Sequence, residues 1–498
     1  MTTFAAGFTF ASVPTHGCLR SGPSTSAPQS PHRRPLSRKS VSAEVCVIGG
    51  GPAGSVFARR MAQLGHKVVL LERYRFPRPR IGEALAAGIW PLLETIGSAA
   101  EVANCHHVQI WDSSVRWAGA TTLDVHRPGP PSLIVDRPEF DSVLLDQAID
   151  AGVTVLAETT AQRPLQKGDG WSLVAAMPEQ SAAIHARFVA DASGRSKVLG
   201  GAVMRASPTL CLHARWHGGH VWPMCALTEA IADGWLWGAP LPDGAFRSML
   251  FIDADLLRRR GIHRSALTEF FRLVHARSRL FRALPRDAHF EELVACDATC
   301  FRDPEPIGDT FVKLGEASLA LDPLSSMGVQ KAIQSAVTAA AAAHTILSGG
   351  DSNAAVDFFQ TDQHASYREH ESWFAGYSSR PPPGADDSFW RRRKSARRPP
   401  QRSRVAAMPV GRLRLSPAAR IIPTPCIVGD QVEMRPAVHH PNLRRPVAYL
   451  GGIELAPLLT REHDDGGLPS RWPATLSAEK AAAVALWLVS NEILVPRA

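Results

Sequence analysis

The sequence predicts an α/β fold: a parallel-sheet domain, a mixed-sheet insertion and a small C-terminal module. Three observations predict it. From Val45 a strand, a glycine-rich turn, a helix and a second strand follow one another within about 30 residues, the βαβ pattern of a parallel sheet. Two more strand-to-turn motifs occur downstream, after Ala190 and after Leu314, so the chain returns to that sheet late. Between them, residues 205–300 lose the α/β alternation and become rich in Trp, His and Cys.

The elements follow in order. Val45–Ile48 is a short apolar run and reads as the first strand. Ser55–Leu64 has apolar residues at helical spacing and is stopped by Gly65, and Lys67–Leu71 is the next strand. Arg75–Arg80 is a Pro-broken basic loop, and Ile89–Ile96 reads as a helix. Arg137–Ile149 carries helical spacing up to Gly152, followed by the strand Val153–Leu156. Ala186–Ala190 is a strand that ends at Asp191, Val329–Leu347 a long Ala-rich helix, and Ser477–Leu488 a helix near the end. These place a nucleotide-binding domain over 43–204 and 300–377, with an inserted substrate domain over 205–299 and a C-terminal module over 405–498. Residues 378–404 are rich in Pro and Arg and read as an exposed basic linker, and residues 1–42 as a disordered leader.

Composition narrows the class. The 498 residues are 45% hydrophobic and 20% charged, which suits a globular protein of several domains. No window reaches the roughly 18 consecutive apolar residues of a membrane span. The net charge of +9 is uneven. Residues 1–43 hold no Asp or Glu, and a second basic block runs through Arg391, Arg392, Arg393, Lys394, Arg397, Arg398, Arg402 and Arg404. Such blocks are most often solvated surface. With only Phe389 and Trp390 beside the second one, a nucleic-acid platform is not expected. The eight cysteines form no CxxC pair, so no metal site is expected, and they suit a reducing, cytoplasmic compartment. The leader has a composition that also suits an organelle transit peptide.

The chemistry lies in the turns. Gly49-Gly50-Gly51-Pro52-Ala53-Gly54 places Gly49, Gly51 and Gly54 at the three glycine positions of GxGxxG, between a strand and a helix. The first permits the tight turn, the second lets the backbone approach a pyrophosphate, and the third lets helix and strand pack closely. The helix N-terminus then faces the anion. Glu72 follows at the end of the second strand, where an acid accepts hydrogen bonds from an adenosine ribose and disfavours a 2′-phosphate. The second motif is Asp191-Ala192-Ser193-Gly194-Arg195. The third is Gly315-Glu316-Ala317 followed by Leu321-Asp322-Pro323-Leu324-Ser325-Ser326-Met327-Gly328-Val329.

In this order the three blocks resemble the para-hydroxybenzoate-hydroxylase-type flavoproteins, which include flavin monooxygenases, flavin-dependent halogenases and geranylgeranyl reductases. The resemblance implies a glutathione-reductase-like, Rossmann-like domain holding FAD. It implies cofactor contacts from Gly49, Gly51, Pro52, Ala53, Gly54, Glu72, Arg73, Gly82, Arg137, Asp191, Gly194, Glu316, Pro323, Gly328 and Val329. Glu316 departs from the family, where Asp is usual at that position. Arg80-Ile81-Gly82-Glu83-Ala84-Leu85 resembles the Gly-Glu loop of the halogenase-like branch, which runs beside the flavin ring. Trp235-Leu236-Trp237-Gly238-Ala239-Pro240 resembles that branch's WxWxIP run, with Ala239 in place of Ile. By that likeness Trp235, Trp237 and Pro240 face the substrate, although aromatic strand residues also serve as plain core.

Halogenases need a lysine soon after the Gly-Glu loop. None occurs between Lys67 and Lys167, and Arg116 is no substitute because its guanidinium does not deprotonate. The late motif and the tail Asp430…His440-Pro441…Arg445-Pro446-Val447-Ala448 are similar to flavoproteins that hydroxylate a tryptophan inside a partner protein during tryptophylquinone maturation. The function expected is therefore monooxygenation of an electron-rich aromatic, on a small molecule or a protein-borne tryptophan, with molecular oxygen. NAD(P)H or reduced flavin from a partner reductase supplies the electrons. Glu83, Ser325 and Ser326 are the candidate catalytic residues beside the flavin, and His213, His217 or His220 a candidate proton carrier. Other readings are a halogenase-like or geranylgeranyl-reductase-like oxidoreductase, and a non-catalytic flavin-bearing protein that docks a partner.

Overall fold

The computed structural model describes residues 40–393 except 118, 120, 127, 219–221, 286, 291, 383 and 386, together with 413–459 and 477–496. Residues 1–39 of the expected leader, His220 and residues 394–404 of the basic block lie outside these residues, whereas Val41 and Ser42, also expected in the leader, pair with Ile184 and His185 in the first sheet.

β1 (Val41–Ile48) is a continuous apolar run from Val45 because both its faces are covered. It leads into α1 (Pro52–Gln63), where Pro52 at the first turn presets φ, and then into β2 (Val68–Leu71). The chain departs through β3 (Asp112–Arg116) and β4 (Leu123–His126). It returns with α2 (Arg137–Asp150), capped by Asp136, which accepts the Glu139 N–H at 3.0 Å. β5 (Thr154–Leu156), β6 (Gly170–Ala176) and the long β7 (Ser181–Asp191) follow. A second departure holds β8 (Thr209–Trp216), β9 (Ala226–Ile231), β10 (Gly234–Pro240), β11 (Phe246–Asp253), α3 (Leu267–Arg277) and β12 (Leu293–Asp297). β13 (Phe311–Lys313) returns to the first sheet, and α4 (Gly328–Leu347) and α5 (Ser352–Ser378) pack on one another behind it.

The first sheet is parallel in the order β5-β2-β1-β7, with β13 beside the C-terminal end of β7. Val45 lies opposite Val68 on one side and Phe188 on the other. β6 runs antiparallel along the first half of β7. Val47, Phe57, Met61, Phe140, Phe188 and Ile333 fill the main core between this sheet and α1, α2 and α4. All five strand C-termini end on one edge, where an open α/β sheet places its ligand.

The second sheet has the order β12-β8-β11-β10-β9-β3-β4. One face packs Leu212, Trp216, Leu236 and Leu250 against Phe271 of α3. The opposite face carries Cys211, Trp235, Trp237, Met249 and Phe251, packed with Ile134 and Leu324 of the nucleotide-binding domain.

Three domain expectations change. The substrate sheet is not confined to 205–299, because β3 and β4 complete it through a parallel β3–β9 pairing. Their sequence gave no warning, being short, polar and half-exposed. The start of the expected linker is not exposed. α6 (Asp387–Arg392) seats Phe389 and Trp390, each 1% exposed, under the second sheet. Trp390 Nε1 donates to Ile231 O at 3.0 Å, and Arg393 lies 3.8 Å over the Phe389 ring and donates to Thr209 Oγ1 at 2.7 Å. The C-terminal module is not wholly separate. The hairpin β14 (Arg420–Val428) and β15 (Gln431–His439) lies on α4 and α5, with Val432 in the main core and its N–H donating to Thr345 Oγ1 at 2.8 Å. Leu413, Leu455, Leu458 and Ile493 form their own cluster with Val484 and Leu488 of α7 (Ala478–Ser490).

Two buried histidines make the fold acid-sensitive. His275 sits among Trp216, Phe271 and Phe281 and bonds Ser248 Oγ at 3.0 Å; burial pushes its pKa down to about 4. His370 accepts the Asp322 N–H at 2.7 Å, and burial pushes it down to about 3. Unfolded, both protonate near pH 6.5, so the stability they carry is full above that pH and is lost as the pH falls towards 4. Asp322 works with the opposite sign: burial pushes its carboxyl up to about 6, which favours the folded state as the pH falls. The histidines outweigh it, each losing about 2 kcal/mol by pH 5. The unfolding free energy from a urea titration should therefore fall between pH 7.5 and pH 5 by a net of about 2.5 kcal/mol, and His275→Gln should flatten that fall.

Candidate functional site

The glycine turn is fixed from below. Gly49 has φ +105°, and a Cβ there would lie 2.5 Å from Ala192 O in the loop after β7. A Cβ on Gly54 would lie 1.9 Å from Gly49 O, so only glycine lets α1 start this close to β1. The first motif is thus clamped against the second. Asp191 is fully buried and spends its carboxylate on that loop: Oδ1 accepts from Ser193 N (3.0 Å) and Oγ (2.6 Å), and Oδ2 from Leu199 N (2.8 Å). It holds the turn and does not project as a free ligand. Gly194, at φ +64°, lets the same loop turn.

Glu72 also points inward. Its Oε2 accepts the Gly50 N–H at 2.7 Å and its Oε1 the Tyr74 N–H at 2.9 Å. Glu72, the expected ribose ligand, thereby also braces the glycine turn, and it is 4% exposed. Arg73 is exposed, with its guanidinium 4.7 Å from the Tyr74 ring. Arg137 is buried, pairing with Asp141 at 3.0 and 3.1 Å and donating to Ile81 O and Gly82 O, both at 3.0 Å. It fastens the Gly-Glu loop, and Gly82 (φ +96°) leaves room for it, since a Cβ there would lie 3.1 Å from Arg137 Nη1.

Arg78 went unnoticed in the sequence. It is 5% exposed, its Nε and Nη1 have no hydrogen-bond partner among the described residues, and its Nη2 lies 3.6 Å from where a Gly51 Cβ would stand. Asp141 at 3.4 Å and Glu72 at 3.8 Å balance its charge without satisfying its donors. Burial lowers its pKa, but a guanidinium stays charged. A buried, under-bonded fork above a glycine turn fits the pyrophosphate of a dinucleotide, and FAD suits these residues on that ground. The signal in the sequence was the Arg of Phe76-Pro77-Arg78, masked by Arg73, Arg75 and Arg80 nearby.

The third motif wraps the start of α4. Gly315 takes φ +51° and donates its N–H to Ser335 Oγ at 3.0 Å. Glu316 is about half exposed and meets Arg195 at 3.4 Å. Pro323 opens a short turn capped by Asp322, Ser325 Oγ donates to Asp322 O at 3.0 Å, and Ser326 adopts φ +52°. Gly328 and Val329 open α4. Ser325 is thus a turn residue whose hydroxyl is occupied.

Glu83 is the buried hinge between the two sheets. Its Oε2 accepts Gly82 N at 3.0 Å, and its Oε1 accepts Arg247 Nε (3.1 Å) and Nη2 (2.9 Å) from β11. Arg247 Nη1 continues to His213 Nδ1 at 3.4 Å. Spacing in the sequence could not reveal this chain, because its members lie up to 164 residues apart. Breaking a buried pair strands a charge, so Arg247→Ala should cost about 3 kcal/mol in a denaturant midpoint, and Glu83→Leu with Arg247→Met should recover part of that. Trp235 stacks on Phe251 at 3.9 Å and 13°, and Trp237 is 9% exposed beside it. Pro240 ends β10, and Trp235 and Trp237 lie on the face that meets Leu324. His217 pairs with His289 at the far edge and does not join this site. Among the described residues no three His, Cys, Asp or Glu are grouped to hold a metal, and no helix is long and apolar enough to cross a membrane.

Residues 42–203 match the family model of an FAD-binding domain. A tryptophan 2-halogenase of Chondromyces crocatus is 29% identical over 64% of this chain, and the match spans only 64% of that relative's length. A putative FAD-dependent oxidoreductase, LodB, of Marinomonas mediterranea is 25% identical over 66% of this chain and 90% of LodB. Among solved structures, the fold is shared with the flavin-dependent halogenase CmlS (TM-score 0.73, 21% identity, 91% of this chain and 96% of that one). It is shared also with QhpG, a peptidyl tryptophan dihydroxylase essential for tryptophylquinone cofactor biogenesis (TM-score 0.70, 23% identity, 91% and 99%). With the glycine turn clamped by the loop after β7 and roofed by Arg78, residues 42–203 form an FAD-binding domain, in a chain similar over about two thirds of its length to flavin-dependent halogenases.

Proposed function

We propose that this chain is an FAD-dependent monooxygenase that hydroxylates an electron-rich aromatic ring, with a tryptophan carried by a partner protein as the substrate class. The observation that carries the reading is the aromatic face of the second sheet. Trp235, Trp237, Met249 and Phe251, all buried, pack towards Leu324 in the turn of the third motif, so this aromatic wall would flank a flavin held by that turn.

FAD, when bound, supplies the reduction and activation of molecular oxygen. The chain's own residues do the rest. The glycine turn and Arg78 hold the pyrophosphate, and Arg137 fixes the Gly82–Glu83 loop. The first-turn amides of α4 offer donors to negative charge. The Trp235 side chain and its neighbours exclude water. His213, tied to Glu83 through Arg247, is placed to take the proton a hydroxylated ring gives up. NAD(P)H or a partner reductase's flavin supplies electrons.

The fold shared with QhpG, which acts on a peptidyl tryptophan, supports the substrate class. A halogenase is the second reading, favoured by the tryptophan 2-halogenase relative. The absence of lysine between Lys67 and Lys167 weighs against it. Stopped-flow mixing of photoreduced protein with oxygen tests the proposal. A monooxygenase gives a transient absorbance distinct from both reduced and oxidised flavin, lengthened by a bound tryptophan peptide, and chloride or bromide leaves the product unhalogenated. Failure to consume oxygen with substrate and reductant present would return the weight to a reductase or to a docking protein.

A further inference from the structure

Cys211 of β8 and Cys296 of β12 are direct partners across an antiparallel pair. Direct partners have Cα atoms about 4.5–5.5 Å apart, inside the roughly 4.4–6.8 Å range of disulfides. Both are free thiols, Cys211 fully buried and Cys296 half-buried at the margin of the aromatic face. Cys296 also hydrogen-bonds His213 and lies near Arg195.

We propose that Cys211 and Cys296 form a peroxide-sensing dithiol in the wall of the substrate face, closing to a disulfide when hydrogen peroxide accumulates there. The chemistry balances without another reagent. The Cys296 thiolate attacks a peroxide oxygen and the O–O bond breaks, leaving a sulfenic acid and hydroxide, which leaves as water after taking a proton. The Cys211 sulfur then attacks the sulfenic sulfur, the S–S bond forms, and a second water departs with the Cys211 proton. Two thiols are oxidised and one peroxide is reduced to two waters.

The surroundings select this pair. Hydrogen bonds from Cys211 and then His213 hold the Cys296 thiol below its ordinary pKa, against the opposing pull of burial. Burial instead pushes Cys46 up to about 12 and Cys105 up to about 11, and Cys300 up as well, so those thiols stay protonated and unreactive. The oxidant rests on the proposed function, because reduced flavin that meets oxygen without a ring to hydroxylate yields peroxide. The linkage would take the Cys296 sulfur from His213 and tie β8 to β12, slowing the site while it has no substrate.

The test treats the full-length holoprotein with hydrogen peroxide, alkylates the remaining thiols and digests with trypsin. The expected product joins residues 206–215 to 287–302 with a loss of about 2 Da. Because 287–302 also holds Cys300, the link must vanish in Cys296→Ser and persist in Cys300→Ser. Cys211→Ser should stop at a sulfenic acid that dimedone captures at Cys296, and His213→Asn should slow that capture several-fold. Full alkylation of both thiols in treated, folded wild type would overturn the proposal, as would a link that survives Cys296→Ser. Linkage by added peroxide but not during substrate-free turnover would leave the dithiol standing and count against the flavin as the source.

Discussion

Gly54→Ala should yield protein that no longer retains FAD. The added Cβ would stand 1.9 Å from Gly49 O and 3.0 Å from the Ala192 side chain, and the first of these is backbone in a turn already at φ +105°. No flexible side chain can yield there, so α1 must move off β1, at a cost of about 3 kcal/mol. That movement takes the first-turn amides of α1 away from the pyrophosphate. At 1.4 kcal/mol per factor of ten, FAD affinity falls by about 100-fold or more. Flavin fluorescence titration of the apoprotein measures it. Gly328→Ala is the contrast, because nothing lies within 4 Å of a Cβ built there and its φ is ordinary. Its fold should be unchanged, so any loss of affinity at Gly328 reports contact with the flavin itself. Equal affinity for Gly54→Ala and wild type would refute the placement of the cofactor on this turn.

The glycine turn and the two later motif turns were legible in the sequence because each is a local device. A turn that needs φ above zero, or a helix packed against a strand, writes glycine at a fixed spacing. The first βαβ unit and the long helix Gly328–Leu347 were legible for the same reason. What spacing could not convey was the use of the acids. Glu72 and Asp191 sit where ligand acids were expected, yet backbone amides close to them in space take their oxygens. The Glu83–Arg247–His213 chain and the Cys211–Cys296 pair were illegible because they are assembled by strand register, which brings residues from distant segments face to face. Trp390 was hidden by its neighbours: an Arg-rich stretch reads as surface, while two aromatics within it are enough to anchor it.

Arg78→Ala should weaken FAD binding by about 10- to 100-fold while leaving the apoprotein folded. The two effects separate because of how Arg78 is held. Its Nε and Nη1 lack hydrogen-bond partners among the described residues, so the folded chain gains little from it without an anion. The carboxylates near it keep other donors: Asp141 keeps Arg137, and Glu72 keeps the Gly50 and Tyr74 amides. With FAD present, each charge-assisted hydrogen bond to phosphate contributes about 1.5–3 kcal/mol, which sets the fold-loss. Arg78→Lys should recover only part of it, since an ammonium restores charge but not the planar fork. Thermal melts of apo and FAD-loaded protein show both effects at once. The variant's apo transition should lie close to wild type, and the upward shift on adding FAD should shrink. An apo form that no longer melts cooperatively would make Arg78 a structural ion pair, and an undiminished shift would put the pyrophosphate elsewhere.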